Sequence, residues 1–167
     1  ATVGREPLRN SMLAVDFTGV GRPVVDILRA ARLPARLRPI LITGGHEVTR
    51  DQKTGAYHVP KKELVSTLQV LMQQKRLRIA PNIRDSKRTN LSEVLLKELQ
   101  YFKVKITSSA NETFGNWRDG QHDDLVLAVA LAVWLGENVG GGDVAKIGLP
   151  SGEERSVWPE EVLKVFS

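Results

Sequence analysis

Apolar residues in this chain fall into short blocks whose spacing changes from one block to the next. Met12 to Val15 is a continuous apolar run that stops at Asp16 and the turn-like Thr18-Gly19-Val20-Gly21. It predicts a short buried strand. Between Pro23 and Arg32, Val24, Val25, Ile27, Leu28 and Ala31 share one helical stripe, and Pro23 suits a first turn, where its missing N–H is not needed. Pro39 to Thr43 reads as a second buried strand, stopped by Gly44-Gly45. Strand, helix and strand at this spacing predict a βαβ unit with parallel strands.

Glu47 to Val59 reads as a hairpin around the polar turn Asp51 to Gly55. A helix opens at Pro60, with Leu64, Leu68, Leu71 and Met72 at helical spacing. Leu77 to Ala80 is expected to be a short strand and Ile83 to Thr89 a loop. Leu91, Val94, Leu95, Leu99 and Phe102 mark another amphipathic helix, Lys103 to Thr107 alternates like a strand, and Asn111 to Gln121 reads as a loop. The helix from Asp123 to Trp134 is apolar on every side after its first turn, so burial is expected. These elements place a globular domain over 1–138. Residues 139–167 are then a Gly-rich linker and a short appendage, with at most a small helix after Pro159.

Composition narrows the classes. The 167 residues suit one domain, and 41% hydrophobic with 26% charged residues is ordinary for a folded protein. The absence of cysteine excludes disulfides and thiolate metal sites, so any metal must be held by oxygen or imidazole. The longest apolar run, Leu125 to Leu135, has 11 residues, too few to span a bilayer. With no apolar core near the N-terminus, a cytoplasmic location is the default. The net charge of +5 is unevenly spread: Arg22 to Lys62 carries 9 Lys/Arg against 3 Asp/Glu, Lys75 to Lys105 the same, and Ile106 to Ser167 only 4 against 10. A basic middle suits a polyanion, nucleic acid first, although a solvated arginine-rich surface accounts for it equally.

Two acidic positions carry candidate chemistry. Asp16 ends a predicted central strand, and ligands of open α/β sheets collect at that end. His122-Asp123-Asp124 opens the apolar helix. Carboxylates from a strand end and a helix start converge if the helix crosses the sheet, and oxygen ligands without sulfur suit Mg²⁺ or Mn²⁺. Two such ions would clamp a scissile phosphate. The plainer alternatives are a turn residue at Asp16 and a helix cap at Asp123 or Asp124. Thr18 to Gly21 as a phosphate cradle lacks both the Walker lysine and a full G-x-G-x-x-G.

Val15-Asp16-Phe17-Thr18-Gly19-Val20-Gly21 and the following Arg22-Pro23-Val24-Val25-Asp26 resemble the second acidic motif of phage terminase large-subunit nuclease domains. Thr43-Gly44-Gly45, Glu47-Val48-Thr49 and Val59-Pro60-Lys61-Lys62-Glu63-Leu64-Val65 are similar to the family's hairpin and next helix. Lys103-Val104-Lys105-Ile106 and His122-Asp123-Asp124-Leu125-Val126-Leu127-Ala128 resemble its closing strand and last acidic motif. The similarity runs from about Leu13 to Leu135. It implies an α/β, ribonuclease H-like mixed sheet flanked by helices, with a β-hairpin insertion. It also implies two-metal hydrolysis by Mg²⁺ or Mn²⁺ of concatemeric viral DNA during packaging, in a bacterial cytoplasm. By motif, Asp16 and Asp124, with Asp123 beside it, are the catalytic metal ligands. Arg22, Lys61, Lys62, Lys103 and Lys105 are candidate phosphate contacts. The implied partners are double-stranded DNA, a terminase ATPase domain and the portal, with no membrane.

The chain also departs from the family. Only 15 residues precede Asp16, their sole acid is Glu6, and no Walker motif occurs. The family's N-terminal strands, with its first catalytic aspartate, are missing, so a catalytically incomplete fragment is expected. The alternative is a non-catalytic prophage remnant that binds DNA or protein through the same fold. Without those strands the apolar Met12 to Val15 would form an open sheet edge, expected to be covered by Ala1 to Asn10, paired with a second copy as a homodimer, or left to make the chain poorly soluble.

Overall fold

A computed structural model describes residues 8–19, 21–106, 112–115 and 124–139. The expected features at His122, Asp123, Gly140-Gly141-Gly142 and the appendage lie outside these residues. Strand β1 (Met12–Asp16) leads through helix α1 (Gly21–Ala30) to β2 (Arg36–Thr43). The hairpin β3 (Thr49–Arg50) and β4 (Tyr57–Pro60) runs straight into α2 (Lys61–Gln73). Then come α3 (Leu91–Tyr101), β5 (Lys103–Ile106), β6 (Glu112–Gly115) and α4 (Asp124–Val139). The main sheet has the order β1-β2-β4-β3. β1, β2 and β4 are parallel and β3 antiparallel, a mixed four-stranded sheet flanked by helices.

Alternation along the strands sorts the side chains. Ala14 lies beside Arg38, Asp16 beside Ile40, and Ile40 beside Tyr57. Met12, Ala14, Ile40, Ile42, Tyr57 and Val59 join the main core with Leu64, Leu68 and Met72 of α2, Leu95 and Leu99 of α3, and Val126, Ala130 and Trp134 of α4. The opposite face is thinner. Val15 joins a small cluster of Phe17, Val25 and Ala56 under α1. α1 buries Val25 completely but leaves Ile27 68% exposed, so only one side of its apolar stripe is covered.

The sheet corrects several sequence expectations. α1 starts at Gly21, ahead of Pro23, because the glycine lets the helix begin directly against the backbone of β1. β2 starts at Arg36, since backbone pairing with β1 extends the strand through polar positions that periodicity does not score. Leu77 to Ala80 finds no strand partner among the described residues, and its Leu77 and Ile79 pack on the core. Glu112–Gly115, expected in a loop, pairs antiparallel with β5. α4 continues past Trp134 to Val139.

Among the described residues β1 is the outer strand of its sheet. Phe17 donates its N–H to the Ile40 carbonyl at 2.7 Å, and the Ser11 carbonyl accepts from Arg36 N at 2.8 Å. By alternation the backbone groups of Met12 and Ala14 point away from β2, toward the side where no strand of the described residues lies. α4 packs on β1, and its Trp134 reaches Tyr57 of β4.

The hairpin turn is organised by Asp51. Its Oδ1 accepts from Lys53 N at 2.8 Å and its Oδ2 from the Thr54 hydroxyl at 2.7 Å, while Gly55 takes φ +72°. The Thr54 hydroxyl, then the Lys53 N–H, hold the Asp51 carboxyl below its ordinary value of 3.8. A depressed folded-state pKa contributes stability above the unfolded-state value and loses it as pH falls through the folded one. A carboxyl NMR titration is therefore expected to place the Asp51 midpoint below 3.8, with the turn loosening as it protonates. A midpoint at or above that value would refute this account of the turn.

Candidate active site at the carboxyl end of the sheet

The segment after β1 is fixed residue by residue. Asp16 Oδ1 accepts from Thr18 N at 2.8 Å, which curls the chain off the strand. Thr18 Oγ1 accepts from Ile42 N at 2.9 Å and ties the turn to β2. Gly19 takes φ +57°, where a side chain would be strained. A Cβ at Gly21 would collide with the Asp16 carbonyl oxygen, so only glycine lets α1 start that close. The turn reading of Asp16 thus describes one of its carboxylate oxygens, and the residue remains exposed.

Three contacts set the direction of α4 relative to this turn. α2 follows β4 without a break and packs on the same sheet, so it runs back from the carboxyl ends of the strands. Just past its far end the Arg76 guanidinium donates to both oxygens of Glu137 near the end of α4, at 3.0 and 2.7 Å. Trp134 meets Tyr57, the first residue of β4, edge-on at 5.7 Å between ring centres. The C-terminal end of α4 thus lies at the far end of α2, and Trp134, through Tyr57, is level with Ile40 and Asp16 in the strand register. The 16 residues of α4 span about 24 Å and run from the Glu137 end toward the end of the sheet where α2 starts. Asp16 follows Met12 and Ala14 in the alternation that faces α4. Asp16 is thus exposed at the end of β1, and Asp124 is exposed at the start of the helix that packs on β1.

A residue missed from the sequence supports that end. Glu98 of α3 accepts from the N–H groups of Leu125 and Val126 at 2.9 and 3.1 Å, both on Oε2. These are donors in the first turn of α4 that have no partner within the helix. A carboxylate there also complements the positive end of the helix dipole. The cap expected from Asp123 or Asp124 is thus supplied, at these two donors, from another helix. The signal was available: Glu98 sits at the i+7 position of the stripe Leu91, Leu95, Leu99 and Phe102, an acid on an apolar face.

Among the expected cations, Lys61 opens α2 with its ammonium 6.0 Å from the centre of the Phe102 ring, so it belongs to the same end of the sheet. Lys62 follows it and is exposed. Arg22, in the first turn of α1, lies 5.6 Å over the Phe17 ring. Lys103 and Lys105 fall in β5. Asp123 lies outside the described residues. Among the described residues, no group of three or more His, Asp or Glu is close enough to hold a metal.

Comparison with protein-family models, with curated proteins and with solved structures gives no match. Among the described residues no helix is long and apolar enough to cross a membrane.

The role of Glu98 predicts a graded response. Glu98→Ala removes the acceptor of two helix-end donors and is expected to destabilise the fold by about 1–3 kcal/mol in urea unfolding. Glu98→Gln keeps an acceptor oxygen and should lose less. Hydrogen exchange should speed up first at Leu125 and Val126. Unchanged exchange there in Glu98→Ala would show that the cap does not hold the turn.

Proposed function

We propose that this chain is a ribonuclease H-like, metal-dependent DNA endonuclease domain of the terminase type, which cuts concatemeric viral DNA during packaging. The observation that supports the reading is an exposed aspartate, Asp16, at the carboxyl end of β1, together with a second exposed aspartate, Asp124, opening the helix that packs on β1. The resemblance of the surrounding motifs supplies the family.

The donor set fits a hard divalent cation. Both residues offer exposed carboxylates, and Asp16 keeps Oδ2 when Oδ1 serves the turn. Asp16 and Asp124 would hold Mg²⁺ or Mn²⁺, with Asp123 contributing by the motif, and the ion would supply charge stabilisation and a more acidic water. The chain's own residues act around it. The Thr18 N–H orients the Asp16 carboxylate, Glu98 fixes the turn that carries Asp124, and Lys61 and Lys62 draw the phosphodiester backbone toward that end, with Arg22, Lys103 and Lys105 as further contacts. An ATPase domain and a portal would complete the packaging system. A second copy paired along the open edge of β1 belongs to the same proposal. Light scattering should find a dimer, and a strict monomer at all concentrations would remove it.

A second reading keeps the fold and the DNA but not the cleavage. It is favoured by the Asp16 turn bond, which accounts for that residue without any chemistry. Plasmid nicking with Mg²⁺ or Mn²⁺ separates the two. Asp16→Asn preserves an acceptor for Thr18 N and removes the charge, so cleavage should fall by two orders of magnitude or more, about 3 kcal/mol or more in the barrier, with the fold intact. Nicking by the parent protein that survives both Asp16→Asn and Asp124→Asn would place the active centre elsewhere. DNA binding without nicking under any divalent ion would leave the binding domain.

A further inference from the structure

The segment between α2 and α3 holds a second charged feature, away from the two carboxylates. Residues 84 to 90 close on themselves as a small antiparallel turn, bridged between Arg84 and Asn90. Asp85 is its centre. Its N–H donates to the Thr89 carbonyl at 3.2 Å, its carbonyl accepts from Arg88 N at 3.0 Å, and its Oδ1 accepts from Lys87 N and Thr89 N at 2.9 and 2.8 Å. The base of the turn is anchored by Ser92, whose buried hydroxyl donates to the Ala80 carbonyl at 2.9 Å and accepts from Ile83 N at 3.0 Å. Asn82 and Arg88 hold φ +60° and +64°, a conformation non-glycine residues seldom keep without such support.

The consequence is electrostatic. The one acid of the turn is committed to backbone donors, while Arg84, Lys87 and Arg88 are exposed. No described residue pairs with the Lys87 or Arg88 side chain, and Arg84 donates only to the Arg88 carbonyl, at 3.0 Å. Ser86 and Thr89 are exposed beside them. From Arg84 to Thr89 there is no apolar side chain that could anchor a protein interface. Cations carried on a braced backbone, with flanking hydroxyls, suit phosphodiester groups, which are bound mainly by charge and held in register by such contacts.

We infer that the turn of residues 84–89 is a preformed phosphate clamp for the backbone of duplex DNA. The inference rests on the DNA reading above and adds to it a contact outside the metal end. α3 has 11 residues, so the turn at its start lies about 16 Å along the helix from its C-terminal end. That is about five base-pair steps along one strand, so a duplex crossing the carboxylates is long enough to reach the clamp.

The test is fluorescence anisotropy of a labelled random-sequence duplex, titrated with the full chain over a range of salt. The triple variant Arg84→Gln, Lys87→Gln and Arg88→Gln is expected to bind about tenfold or more weakly at low salt. Its log K against log salt should flatten by about 0.9 for each phosphate that is no longer neutralised. Arg84→Lys with Arg88→Lys keeps the charge and should retain most of the affinity, and circular dichroism melting should show every variant folded. Equal binding and slope in the parent and the triple variant would overturn the clamp and leave the DNA reading standing. A parent that binds no duplex at low salt would overturn both. Loss of binding to an acidic polypeptide with DNA binding unchanged would also overturn the clamp, and make the turn a protein-docking site.

Discussion

The enclosure of α4 is the constraint on which the rest of the structure depends. A helix with Leu125, Val126, Leu127, Val129, Leu131, Val133, Trp134 and Leu135 in sequence has no wide polar side to turn to water. It needs neighbours on most of its circumference, and β1, α2 and α3 supply them. Burial alone would not decide which way the helix points. The polar contacts at its ends do: Arg76 holds Glu137 at one end, and Glu98 receives the first-turn donors at the other. Reversing the helix would separate a carboxylate from its guanidinium and leave helix-end N–H groups unpaired, each a cost of the order of 1–3 kcal/mol. The position of Asp124 follows from that choice.

The same division explains how far the chain can be read in advance. Periodicity found β1, the β3–β4 hairpin, α2, α3 and α4, because in each the buried side chains repeat at the spacing of the element. It placed Met12 and Ala14 on one face and Leu13 and Val15 on the other. It failed where backbone pairing, not side-chain burial, makes the element. The Arg36-Leu37-Arg38 start of β2 and the Glu112–Gly115 strand exist because a neighbouring strand offers hydrogen bonds. Leu77 to Ala80 failed in the opposite sense: its apolar residues reach the core without any strand to pair with. The outer position of β1 among the described strands was not legible locally, since nothing in those residues distinguishes an edge strand from a central one.

At the candidate site the sequence pointed to Asp16 and Asp124 but not to Glu98. The reason is instructive for reading acids generally. Asp16 stands at a strand end, where an acid draws attention; Glu98 stands inside a helix that otherwise scores as ordinary amphipathic. An acid on a buried stripe needs donors, and the donors are found at the start of another element, far away in sequence. Asp85 shows the related case on the surface, an acid inside a basic segment whose charge is spent on its own backbone. Counting charges along the chain treats these acids alike, and the structure does not.

Structural employment and chemical availability are therefore separate properties of a carboxylate, and they need not compete. A carboxylate has two oxygens and about four acceptor positions. At Glu98 one oxygen serves two helix donors, and the side chain is half-buried, which makes it a support for the turn that carries Asp124. At Asp16 a single bond from Thr18 N fixes the side chain while it stays exposed to solvent. A ligand or catalytic group has to be held in one orientation before it is useful, and supporting hydrogen bonds ordinarily do that. The turn bond, taken alone, explains why an aspartate is there. It does not account for the bonds that tie down both ends of α4, the helix that opens with a second exposed aspartate. The two arrangements share no residue and no hydrogen bond: one holds an exposed aspartate at the carboxyl end of a parallel strand, the end where ligands of open α/β sheets bind, and the other fixes the helix that opens with Asp124.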